Sequence, residues 1–192
     1  MANGLEKYFA DLEKRLNATE VRVGFFPDAT YSDGTPVATV AYVNEYGATI
    51  NQQARTGTIY RSMKKDGSFA RGGRFVKAKS SNFATSHDIP AHTVNIPPRP
   101  FFRNAIDKHK EEWVEDISKS IASGEDAKSV LGRVGGLIQG DVQTSISELT
   151  EPALSAATLA ARRSRGNGNT NPLTDTRTMI TSVNYEVIDD QG

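Results

Sequence analysis

Apolar residues recur along this chain with two periods, and the changes between them mark out its elements. Leu5, Tyr8, Phe9, Leu12 and Leu16 form one stripe at helical spacing, which predicts a helix from about Gly4 to Leu16. From Glu20 to Phe26 the period shortens to two, with Val21, Val23 and Phe25 set against Glu20, Arg22 and Gly24, the pattern of a half-buried strand. Pro27-Asp28 and Ser32-Asp33-Gly34 carry turn chemistry. Thr35 as N-cap and Pro36 as first helical residue then open a short helix on Val37, Val40, Ala41 and Asn44 that stops at Gly47.

The second half is mostly helical in pattern. Phe102, Ile106, Trp113 or Val114, Ile117 and Ile121 predict a helix from Arg99 or Pro100 to about Ile121, with Lys108, Lys110, Glu111, Glu112, Glu115, Asp116 and Lys119 on its polar face. After Ser123-Gly124, a second helix runs from near Glu125 to Leu149 on the stripe Ala127, Val130, Leu131, Val134, Ile138, Val142 and Ile146. Gly132, Gly135, Gly136 and Gly140 each cost this helix about 1 kcal/mol relative to alanine, so close packing or a bend is expected at some of them. Ala153 to Arg163 reads as a short helix and Gly166 to Asn171 as a flexible loop. Asp175 to Ile180 reads as one helical turn, and Thr181 to Ile188 as a closing strand.

Residues 48 to 95 differ in character, with few large apolar side chains and a run of cations. Arg55, Arg61, Lys64, Lys65, Arg71, Arg74, Lys77 and Lys79 face one acid, Asp66, between positions 55 and 80. Thr58 to Met63 has strand character, Asp66-Gly67 supplies a turn and Phe69 to Val76 can return, which predicts a basic β-hairpin interrupted at Gly72-Gly73. So few core residues cannot bury a hairpin, so it is expected to project as an arm. Ala91 to Ile96 reads as a strand leading into Pro97.

These elements predict an α+β fold: a small mixed or antiparallel sheet, assembled from distant segments and packed by long helices, with a projecting basic hairpin arm. The expected organisation is one domain over 1–192, with 50–92 as the arm and 164–172 as a flexible loop. At 192 residues the chain can bury roughly 70% of its unfolded surface. Its 23 basic and 23 acidic residues cancel, so attraction to nucleic acid has to come from local clustering. The absence of cysteine removes disulfide and thiolate chemistry. No run approaches the roughly 18 apolar residues of a membrane span and Met1 to Lys7 has no signal core, so a protein made in a cytoplasm is expected, with no membrane partner.

Candidate catalytic groups are thin. His87, Asp88 and His92 are loosely spaced like metal ligands but lack helical spacing and a further carboxylate, and an ordinary loop and strand accounts for them better. Gly132 to Gly136 lacks the lysine and context of a phosphate loop. The expectation is no enzyme, no cofactor and no metal. The basic arm has three readings: docking to an acidic protein surface, nonspecific contact with DNA phosphates, or simple solubility of an exposed hairpin.

Three ordered blocks carry a resemblance. Tyr42-Val43-Asn44-Glu45-Tyr46-Gly47, then Pro98-Arg99-Pro100-Phe101 opening a long helix, then Pro172-Leu173-Thr174-Asp175-Thr176 before a closing strand, with Pro152, Leu154, Thr158, Leu159 and Arg162 between the last two, resemble the tail-completion (neck) proteins of long-tailed bacteriophages. The match covers about residues 20 to 188 and departs at Arg177, where that family usually has glycine, a departure that bears on the turn after Thr176. The resemblance implies a virion subunit at the head-tail junction. It would form a ring with itself, six-fold in expectation, and touch connector or head-closure proteins and the tail terminator or tail tube. The expected partner interface comprises Pro97, Pro98, Arg99, Pro100, Phe101 and Phe102 with Tyr60, Phe69 and Phe75. A tail terminator, a nonspecific DNA-binding protein and a hydrolase built on His87, Asp88 and His92 are the competing readings.

Overall fold

The computed structural model describes Glu6, Lys7 and residues 19–189. The helix expected over Gly4–Leu16 lies outside the described residues, apart from Glu6 and Lys7, which are helical. In chain order the remaining elements are β1 (Thr19–Phe25), α1 (Val37–Tyr46), β2 (Ala48–Gln52), β3 (Arg55–Arg61), β4 (Phe83–Ile89), β5 (His92–Ile96), α2 (Phe101–Ala122), α3 (Ala127–Glu148), α4 (Ala156–Ser164), α5 (Thr178–Thr181) and β6 (Val183–Asp189). Helices and small antiparallel sheets together make the expected α+β fold. The chain divides into two compact units, one formed by residues 49–95 and one by the chain on either side.

In the larger unit the first and last strands pair antiparallel, Thr19 opposite Asp189 and Phe25 opposite Val183. Val37 and Ala41 of α1, Phe101 and Ala105 of α2, Val142 and Ile146 of α3, and Leu173, Met179 and Val183 form one buried core. Trp113, Val130 and Val134 make a second, between α2 and α3. The glycines of α3 let it lie on the strands: a Cβ at Gly135 would stand 2.6 Å from Tyr185 Cδ2 and 2.8 Å from Val21 Cγ2. Gly132 and Gly136 face Val187 and Tyr185 at ordinary contact distance, whereas Gly140 faces open space. Close packing is therefore the reason for glycine at Gly135.

Three expectations shift in register. The buried face of α2 carries Phe101, Ala105, Trp113 and Ser120, while Ile106 is 37% and Val114 62% exposed. Phe101 fixes this rotation by stacking edge-on to Phe25 at 6.1 Å, and the small Ala105 one turn later lets the neighbouring helix close in. Pro36 is the N-cap of α1 rather than its first helical residue, and the Val37 amide donates to Ala29 O at 2.9 Å. The helix expected from Ala153 begins at Ala156, because the Ser155 side chain accepts from the Thr158 amide and caps it there.

The 49–95 unit holds two two-stranded sheets, β2 with β5 and β3 with β4. The expected hairpin is corrected here. The strand paired with β3 is β4, with Arg55 opposite Ile89 and Arg61 opposite Phe83, and Phe69–Val76 is not a strand. The Asp66-Gly67 turn forms where expected, closed by Lys64 N donating to Ser68 O at 2.8 Å. Beyond it Arg71, Gly72 and Gly73 have φ of 53°, 64° and 77°, three successive left-handed residues that curl the backbone out of any strand path.

Candidate functional site

The segment from Pro97 to Arg103 is held by α1. Arg99 is buried; its amide donates to Asn44 O at 2.6 Å and its Nε to Pro152 O at 3.2 Å. Burial, and then repulsion from Arg162, lowers the pKa of its guanidinium. One residue along α1, the Glu45 carboxylate is 5% exposed and accepts from the amides of Phe102 (2.9 Å) and Arg103 (3.2 Å) and from Arg103 Nε (2.8 Å). It sits where the unpaired N–H groups and the positive end of the α2 dipole favour an anion. Gly47 follows with φ 75°, and a Cβ there would lie 2.9 Å from Ile96 O and 3.0 Å from Pro98 N, so only glycine lets this backbone approach. Arg103 lies over the Tyr46 ring at 5.0 Å, and Tyr46 packs on Tyr42 at 4.8 Å, both tyrosines more than half exposed.

The third block is built around Arg162, 3% exposed, which donates to the carbonyls of Asn169 (3.1 Å), Asn171 (2.6 Å) and Pro172 (2.8 Å). Its Nε faces the Asp175 carboxylate at 3.5 Å without a well-aligned hydrogen bond. Asn167 also donates to Asp175, so the 164–172 loop follows a densely bonded course. A cleft of about 420 Å³ opens between this block and α1, lined among others by Tyr31, Asp33, Asn44, Leu173, Asp175 and Thr176. Within it burial, then Asp33, raises the Tyr31 hydroxyl pKa, while hydrogen bonds from Thr35 lower that of Asp33.

Arg177 adopts φ 60° and ψ 0°, the left-handed conformation. A non-glycine residue there is strained by about 1–2 kcal/mol, partly offset by the backbone entropy glycine would lose. Arg177→Gly should therefore raise stability by about 1 kcal/mol, seen as a melting temperature about 2–4 °C higher. An unchanged or lower melting temperature would show the strain to be absent.

Of the residues expected at a partner interface, Pro97 and Pro98 are exposed and Pro100 and Phe102 half-buried. Arg99 and Phe101 turn inward, Phe101 into the core, because the helix start must bury one large ring to hold it against β1; neither is free to face a partner. In the other unit Tyr60 is half-buried, Phe69 packs on Phe83 at 5.5 Å, and Phe75 is 69% exposed. Arg61 is set apart from the other cations, its guanidinium over Phe69 at 5.0 Å and Phe75 at 5.2 Å. Arg55, Lys64, Lys65, Arg71, Arg74, Lys77 and Lys79 are exposed.

His87 pairs with Thr85 Oγ1, His92 with Pro90 O, and Asp88 accepts from Thr56 Oγ1. Among the described residues no three His, Cys, Asp or Glu side chains gather as a metal site, and no helix is long and apolar enough to cross a membrane. Glu45 is the residue the sequence pattern underplayed: a carboxylate continuing the buried Val37, Ala41 stripe of α1 was the available signal. In comparisons with known proteins the chain matches no family model, no curated protein and no solved structure.

Proposed function

We propose that the chain is a structural subunit of the phage neck, a tail-completion protein that joins head and tail as a ring. The observation that carries this is the meeting of the three sequence blocks in one unit. Asn44 holds Arg99, Glu45 caps the helix opened by Pro100, Pro152 accepts from Arg99, and Arg162 secures Pro172, while Ala41, Phe101 and Leu173 share one core. The left-handed backbone at Arg177, where the resembling family usually has glycine, supports the same reading.

The test is a phage that carries this gene, with the gene interrupted. Filled heads and complete tails should accumulate unjoined, and a density map of the intact virion should hold the subunit at the head-tail junction. Normal virions without the protein would end this reading, and density at the end of the tail tube alone would favour a tail terminator. The exposed cations of the 49–95 unit favour a second reading, nonspecific contact with DNA backbone, which predicts duplex binding that falls steeply with salt.

A further inference from the structure

Charge is divided sharply between the two units. Residues 49–95 hold eight cations and two acids, Asp66 and Asp88, a net charge of +6. Since the whole chain balances at 23 of each sign, the rest carries a net charge of −6. Both acids of the basic unit are already engaged, Asp66 by Ser68 and Asp88 by Thr56, and among the described residues none of its exposed cations makes an ion pair. The larger unit pairs cations internally, as Arg133 does with Asp116 and Glu125, which leaves a surplus of carboxylates.

We infer that the basic unit of one copy docks on the outer face of α2 of a second copy. That face presents Asp107 and Glu111, one turn apart and in no ion pair among the described residues, with Lys110 between the exposed Ile106 and Val114. The basic unit presents the matching pair of features: Arg71, Arg74, Lys77 and Lys79 beside the exposed ring of Phe75. Opposite charges set the approach and an apolar contact fills the centre. Equal and opposite charges on the two units favour a second copy over nucleic acid, because a neutral whole molecule is not drawn to DNA from a distance. Each copy carries both halves of the contact, so the association is head-to-tail and closes into a ring where its rotation permits. The contact deepens the proposed ring and rests on that reading for its closure alone.

Sedimentation of the full chain tests it. Between about 0.1 M and about 1 M salt the Debye length falls from about 10 to about 3 Å, so assemblies present at the lower salt should dissociate at the higher. A variant with Arg71, Arg74, Lys77 and Lys79 all changed to Glu should be monomeric at low salt, as should Asp107→Lys with Glu111→Lys. Mixed together, the two variants should assemble again as alternating copies, because the native basic unit of one meets the native α2 face of the other and the two reversed surfaces are complementary in their turn. Assembly that persists in the charge-reversed variants, a native protein monomeric at both salts, or reversal that abolishes duplex DNA binding alone would each overturn the contact. Salt-sensitive open chains would keep the contact and remove the ring; a closed ring indifferent to charge reversal would keep the ring and remove the contact.

Discussion

Gly135→Ala should destabilise the larger unit by about 2 kcal/mol, while Gly140→Ala, on the same helix, should stabilise it by about 1 kcal/mol. Both exchanges gain the same helix propensity, about 1 kcal/mol. They differ in what the new methyl meets. At Gly135 it would stand 2.6 Å from the Tyr185 ring and 2.8 Å from a Val21 methyl, where two strands on one side and α2 on the other leave little room to retreat. Forcing such an overpacked contact costs about 3 kcal/mol, which outweighs the propensity gain. At Gly140 nothing lies within 4 Å, so the gain stands alone. Trp113, the chain's one tryptophan, lies between α2 and α3, and its fluorescence through a urea titration reports this unit without contribution from residues 49–95. Midpoints that move in the same direction for both variants would mean that α3 does not lie on the strands as closely as described.

That contrast also shows where the sequence was readable. The alternation in Glu20–Phe26 and the stripes of the two long helices come from local repetition, so β1, α2 and α3 are legible in the sequence itself. The glycines of α3 signalled close packing through their cost, though not which of them touched the strands. What failed depended on partners far away. Phe83-Ala84-Thr85-Ser86-His87-Asp88-Ile89 is too polar to announce a strand, yet it pairs along the whole of β3, and the more apolar Phe69–Val76 loses that role to a left-handed turn. Ile106 and Val114 are strongly apolar, but Phe101 at the helix start decides which face of α2 turns inward. Arg162 stands in the sequence only as a member of the resembling blocks, and the carbonyls that bury it come from the polar loop that follows. Likewise Pro97–Phe102 read as a surface for a neighbour, while two of its six residues are spent on internal fixing.

Glu45→Ala should cost about 3 kcal/mol, more than any other single change at the junction of the sequence blocks. The carboxylate accepts two amides at the start of α2 and the Arg103 side chain, in a position that is nearly dry. Its removal leaves the Phe102 and Arg103 amides without their side-chain acceptor and withdraws the anion from the positive end of a 22-residue helix. The pairing with Arg103 is a lesser part, because about half of that side chain is in water and still has the Glu45 carbonyl to bond. Arg103→Ala should therefore cost only about 1 kcal/mol, and Glu45→Gln, which keeps one acceptor oxygen but no charge, should fall between the two. The ordering separates two accounts of the same carboxylate. If it caps the helix, Glu45→Ala exceeds Arg103→Ala by roughly 2 kcal/mol, and the difference persists at high salt because direct hydrogen bonds to a nearly buried carboxylate are little screened. If it serves mainly as a salt-bridge partner, the two variants cost the same and both effects shrink as salt rises. Urea midpoints of the three variants at low and high salt decide between them, and with them whether the proline segment is rooted by α1 or merely lies against it.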